Sequence, residues 1–160
     1  MDTTIFISHK KEDSKPAKYI CSLLKELGVN AYLDLLEGDL LLKGESLTNH
    51  IKKRLNSCTD LLVVMSDNTE RSWWVPFEIG MASQNDFPIV TYLINNVPLP
   101  DYLTYWPTLK KYSDLATYIS VKKSILLENN SSIYKQFNSK NTTISKTKQF
   151  YDELKKELAY

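Results

Sequence analysis

A tryptophan and a glutamate, Trp74 and Glu78, stand four residues apart in the run Ser72-Trp73-Trp74-Val75-Pro76-Phe77-Glu78. On a helix that spacing places both on one face. A carboxylate beside an indole has a chemical use. The indole is a flat apolar wall for a ring, and the anion can accept hydrogen bonds from a sugar diol and stabilise developing positive charge. A glycosyl transition state is oxocarbenium-like, so the pair suits cleavage of an N-glycosidic bond. Glu78 is expected in the first turns of its helix, where the macrodipole favours the ionised form. Taken alone, the same two residues also fit a plainer role, the glutamate as a dipole partner and the tryptophan as packing.

Other chemistries find little support. The four glycines form neither GxGxxG nor GxxxxGK[ST], which disfavours Rossmann-type dinucleotide binding and P-loop chemistry. No GxSxG elbow is present. Cys21 and Cys58 make no CxxC pair and no disulfide framework, and they read as buried thiols in a reducing cytoplasm. With only His9 and His50 besides, no metal site is expected. A formal net charge of +1 argues against a nucleic-acid binder. No apolar run nears the roughly 18 residues that span a membrane, and the N-terminus lacks the plan of a signal peptide. A cytoplasmic protein is expected.

The elements that must position the pair alternate. Thr4–Ser8 reads as a strand, followed by a helix capped by Asp13 or Ser14 and stopped by Gly28. Val29–Leu33 reads as a second strand. Ser46 is expected to cap a helix with the stripe Leu47, Ile51 and Leu55. Asp60–Ser66 is the clearest strand, and its continuous apolar run suggests burial on both faces. A helix over Ser72–Ser83, a strand over Pro88–Ile94, a weaker strand over Thr108–Tyr112 and a helix over Asp114–Leu127 follow. This alternation predicts an α/β domain with a parallel sheet and helices on both faces. Ligands then bind beyond the carboxyl ends of the strands. There the first strand presents Ser8, His9 and Lys10, the second Asp34, and the third Ser66 and the segment leading to Glu78. Residues 128–147 are polar and read as a linker, and Ser145–Leu158 recovers helical spacing. The expected organisation is a domain over 1–127 and a linker with a C-terminal helix over 128–160.

Several of these segments together resemble a family. Ile5-Phe6-Ile7-Ser8-His9 with Glu12-Asp13 resembles the opening box of TIR (Toll/interleukin-1 receptor) domains. Asp34 with Gly44, Leu47 and Ile51 is similar to the family's next segment. Leu62–Ser66 followed by Ser72-x-Trp74-x-x-x-Glu78 resembles its SxWxxxE signature. Leu99–Leu103 and Asp114-Leu115-x-x-Tyr118-Ile119 resemble the closing part of bacterial members. The boxes keep the family's order over about residues 3–120. The proline-containing loop of the animal receptors is missing, with Gly38-Asp39 and leucines in its place.

The resemblance implies a flavodoxin-like sheet of five parallel strands. It also implies cleavage of NAD⁺ at the nicotinamide–ribose bond, with Glu78 in the place of the catalytic glutamate and Trp74 as its adjacent aromatic. His9, Lys10 and Asp34 fall where the family lines its nucleotide pocket. NAD⁺ is then substrate, and no cofactor is expected. Standalone bacterial members often act in Thoeris-type antiphage defence, making a cyclic ADP-ribose isomer that activates a separate effector. Self-association is expected to complete the pocket. Two other readings stay open: a non-catalytic self-association module using the leucine-rich 35–42 segment, and an enzyme like the nucleoside 2-deoxyribosyltransferases, whose E-x-G-x-A context Glu78-Ile79-Gly80-Met81-Ala82 resembles.

Overall fold

A computed structural model of the chain describes residues 3–33, 43–95, 97–132 and 145–159. Five strands, β1 (Thr4–Ser8), β2 (Asn30–Leu33), β3 (Asp60–Met65), β4 (Ile89–Leu93) and β5 (Thr108–Leu109), form one sheet in the order β2-β1-β3-β4-β5. Every pairing is parallel. That is the flavodoxin-like order, with its reversal between β1 and β3. The helices are α1 (Ser14–Glu26), α2 (Glu45–Asn56), α3 (Trp74–Gln84), α4 (Ser113–Ser132) and α5 (Lys146–Glu157).

Alternation along the strands divides the core in two. Ile5, Ile7, Leu62, Val64, Val90 and Tyr92 pack with the inner faces of α1, α4 and α5. Phe6, Leu61, Val63, Met65, Ile89 and Leu93 pack with α2 and α3. All six residues of β3 are buried, as its unbroken apolar run predicts for a strand covered on both sides. Helices thus cover both faces, as expected.

Several element ends differ from the sequence reading, each for a local reason. Gly28 ends α1 at φ 78° as expected, with its N–H on Lys25 O and that of Val29 on Leu24 O. At the other end neither expected cap works: Asp13 occupies the cap position with no side-chain hydrogen bond to the helix, and the Ser14 hydroxyl turns back to Lys11 O. Ser46 is not the cap of α2 either, because the helix begins one residue earlier, at Glu45, after Gly44 at φ 56°. β5 stops at Leu109 because the Asp114 carboxylate takes the N–H groups of Lys110 and Lys111, at 2.8 and 2.9 Å. The expected boundary at residue 127 falls inside α4, which runs on to Ser132.

The C-terminal helix packs back on the domain. Ser145 caps it, accepting the Lys148 N–H at 3.1 Å. Its stripe of Phe150, Tyr151, Leu154 and Leu158 joins the core beside α4, where the Phe150 ring lies 5.7 Å from that of Tyr118. A buried polar cluster pins the same region at the amino end of β3. Asp60 accepts from Lys122 Nζ at 2.6 Å, Tyr118 at 3.1 Å and Thr59 at 2.6 Å. Among the described residues no helix is long and apolar enough to cross a membrane.

Candidate active site

In doubly wound sheets ligands bind at the crevice marked by a reversal of strand order, a position that here falls at the carboxyl ends of β1 and β3. Ser8 is the last residue of β1 and pairs with Val63 of the neighbouring central strand, which fixes its backbone. Across the crevice stands α3. The Ser72 hydroxyl accepts the Val75 N–H at 3.3 Å and starts that helix. Pro76 falls in the first turn, where its missing N–H costs little. This start sets Glu78 on the side of α3 that faces the sheet, between the buried Val75, Ile79 and Ala82.

There the two chain segments meet. The Ser8 hydroxyl donates to Glu78 Oε2 at 2.5 Å, linking residues 70 apart in sequence. Ser8 is 0% and Glu78 1% exposed. The carboxylate therefore lies buried beneath the rim and not at its mouth, among Val75, Ile79 and Ala82, with the Ser8 hydroxyl as a polar partner. A hydroxyl donated to a carboxylate makes a strong, short bond. The helix dipole contributes less than the sequence reading expects, because Glu78 is the fifth residue of α3 and the dipole acts mainly on the first turn.

The other expected site residues divide. Trp74 opens α3 one turn before Glu78 and is half-buried, its indole edge-on to Phe77 at 6.1 Å. His9 is nearly buried, with Nε2 3.4 Å from the Ser14 hydroxyl. Lys10 follows it on the same loop, its Nζ 3.6 Å from the exposed Glu12 carboxylate, a weak pair. Ser66 stands at the end of β3, but its hydroxyl donates to Asp13 Oδ2 at 2.6 Å and so serves the protein's own framework. Asp34 and the leucine-rich segment 35–42 lie outside the described residues.

Asp13 stands at the cap position the sequence suggests, but its carboxylate bonds elsewhere. It is 4% exposed and accepts from Asn68 Nδ2 at 2.9 Å as well as from Ser66. Thr69 Oγ1 approaches the same carboxylate at 3.4 Å and accepts the Ser66 N–H at 3.0 Å. The loop after β1, which carries His9 and Lys10, is thereby joined to the loop that leads into α3. The only signal in the sequence was an acidic residue ahead of a helix, which also fits a cap. Among the described residues no group of three or more His, Cys, Asp or Glu could hold a metal ion.

Residues 5–123 match the TIR domain family. The chain belongs to that family. A putative cyclic ADP-D-ribose synthase TIR2 of Cytobacillus dafuensis is 32% identical over 84 residues, 50% of this chain and 22% of that protein. A probable 3′ cyclic ADP-D-ribose synthase ThsB′ of Bacillus cereus (strain MSX-D12) is 28% identical over 79 residues, 48% of this chain and 41% of that protein. The matched region thus spans less than half the length of either relative. Among solved structures, a 2-deoxyribosyltransferase of Bacillus psychrosaccharolyticus superposes with a TM-score of 0.60 over 71% of this chain and 90% of its own, at 11% identity. That likeness is one of fold.

Proposed function

We propose that this TIR domain cleaves NAD⁺ at the nicotinamide–ribose bond and closes the ADP-ribosyl unit into a cyclic ADP-ribose-type signal, acting in bacterial antiphage defence. The observation that carries the reading is the Glu78 carboxylate, held by Ser8 at the strand-order reversal, one helical turn from Trp74. The two relatives named as cyclic ADP-ribose synthases support the substrate and the product class.

The chemistry asks for little beyond such a carboxylate. Nicotinamide in NAD⁺ is a cationic leaving group and departs neutral, taking the bonding pair of the C1′–N bond, so no general acid is needed. The ribosyl unit left behind is an oxocarbenium ion. Glu78 supplies the negative charge that stabilises it and an acceptor for the ribose hydroxyls. Trp74 offers a wall for a ring, and His9 and Lys10 line the nucleotide. Glu78 is 1% exposed, so this reading requires the rim to open as the substrate enters. Water attack then gives ADP-ribose. Folding the adenine or a ribose hydroxyl back against C1′ while excluding water gives a cyclic product instead. A second copy of the chain completes the pocket, and the diffusible product reaches a separate effector. The protein works in the cytoplasm, with no membrane and no nucleic acid among its partners.

The test is direct. The purified chain is incubated with NAD⁺, alone and with extract of phage-infected cells, and nicotinamide release and product mass are followed. A wild-type rate no greater than that of Glu78→Gln in every condition rejects the reading.

One feature favours a self-association module as a second reading. Trp73, just before α3, is 90% exposed and Phe77 on α3 38%, and Phe77, Gly80 and Met81 line a largely apolar groove beside α2. A module of that kind tolerates Glu78→Gln and loses its function when Phe77 becomes charged.

A further inference from the structure

The geometry points to Ser8 as a positioning residue that holds Glu78, and not as a contact to the substrate. This rests on the NAD⁺-cleaving reading above. Placed at the end of a strand beside His9 and Lys10, Ser8 would pass for a donor to the ligand. A serine hydroxyl, however, has one proton. That proton is donated to Glu78 Oε2, with the two oxygens 2.5 Å apart, and both residues are buried. Ser8 therefore has no donor left for a ribose hydroxyl.

Its mounting suits the holding role. Ser8 belongs to the interior strand β1, in register with Val63 of β3, so its Oγ is carried on rigid backbone. Glu78 rides on α3 and has three rotatable side-chain bonds. One bond from the strand selects a rotamer for it. It also opposes the tendency of a carboxyl shut off from water to become neutral, and a neutral acid brings no negative charge to the oxocarbenium ion. Preorganised charge of this kind acts mainly on the chemical step, where cationic character develops at the ribose, and less on ground-state binding.

The test compares the full chain with Ser8→Ala, Ser8→Thr, Glu78→Ala and the double variant Ser8→Ala/Glu78→Ala. Nicotinamide release is measured across NAD⁺ concentrations, and unfolding in urea is measured in parallel. Loss of one hydrogen bond to a charged group lowers kcat about ten- to hundredfold in Ser8→Ala, with KM for NAD⁺ moving by less than about threefold. Ser8→Thr, which restores the hydroxyl, recovers activity to within about threefold of wild type. The double variant is no slower than Glu78→Ala, and the urea costs of the two single changes exceed that of the double. A raised KM with kcat intact makes Ser8 a substrate contact and overturns the proposal. So does Ser8→Thr as slow as Ser8→Ala with its urea midpoint kept. Additive urea costs in an active enzyme overturn the proposal and leave the NAD⁺ reading standing. A wild type that never releases nicotinamide, with non-additive urea costs, overturns the NAD⁺ reading and the catalytic purpose of the contact but not the contact itself.

Discussion

Asp13 accepts the Ser66 hydroxyl at 2.6 Å across 53 residues of sequence, and both side chains are buried. The bond braces the loop leaving β1 against the loop leaving β3. Asp13→Ala strips an acceptor from Ser66 and Asn68 together, and hydrogen bonds to a buried charge are costly to break. A loss of about 2–3 kcal/mol in urea denaturation is expected. Ser66→Ala, which leaves Asn68 in place, is expected to lose about half of that. Equal and small losses in both would mean that the brace carries no load.

Glu78→Gln keeps the size of the side chain and an acceptor for Ser8 but removes the negative charge. Nicotinamide release is expected to fall at least about a hundredfold, the scale on which removing one electrostatic stabiliser acts. The urea midpoint is expected to move little, because Ser8 keeps a partner. A variant that holds its rate but unfolds more easily would make Glu78 a structural residue.

The framework of this site was more legible in the sequence than its contacts. The apolar run of β3 and the stop at Gly28 are local signals, and both stand where the sequence put them. Glu78 and Ser8 were legible as residue types, and the order of the boxes placed them at one rim. What joins them was not legible, because a bond over 70 residues leaves no period or spacing to read. The bond between Asp13 and Ser66, over 53 residues, was hidden for the same reason. Short-range competition misled the reading of β5 as well: a carboxylate four residues ahead, Asp114, takes the N–H groups that would have prolonged the strand.

At the opposite end of the sheet, Asp60 is fully buried and Lys122 Nζ lies 2.6 Å from it. Taking out the cation alone leaves a carboxylate in the interior with only the Tyr118 and Thr59 hydroxyls for company. Lys122→Met is expected to cost about 3–5 kcal/mol in urea denaturation. Asp60→Asn combined with Lys122→Met is expected to be more stable than Lys122→Met alone, since no unpaired charge remains. A double variant less stable than the single one would show that the pair adds more than mutual neutralisation.

Tyr151 ties α5 to the sheet. Its hydroxyl accepts the Ile89 N–H at 2.9 Å and donates to Phe87 O at 3.3 Å. Burial, more than any neighbouring charge, pushes the hydroxyl up to about 12 from 10.0, and the Ile89 N–H partly offsets it. An acid whose folded value lies above its unfolded one gives its full stabilisation below about pH 10. Between 10 and 12 the unfolded chain loses the proton first, so stability falls as pH rises. The melting temperature is therefore expected to be level from pH 7 to 9 and to drop through that window. Tyr118, raised well above its ordinary value by its own burial, adds to the drop. Tyr151→Phe is expected to lose about 1–3 kcal/mol at pH 7, because the buried Ile89 N–H is left without its acceptor. Its alkaline slope should nonetheless be shallower than that of wild type, since one titrating group is gone. Melting curves of both proteins from pH 7 to 12 decide it, and an unchanged slope in Tyr151→Phe would remove this hydroxyl from the account.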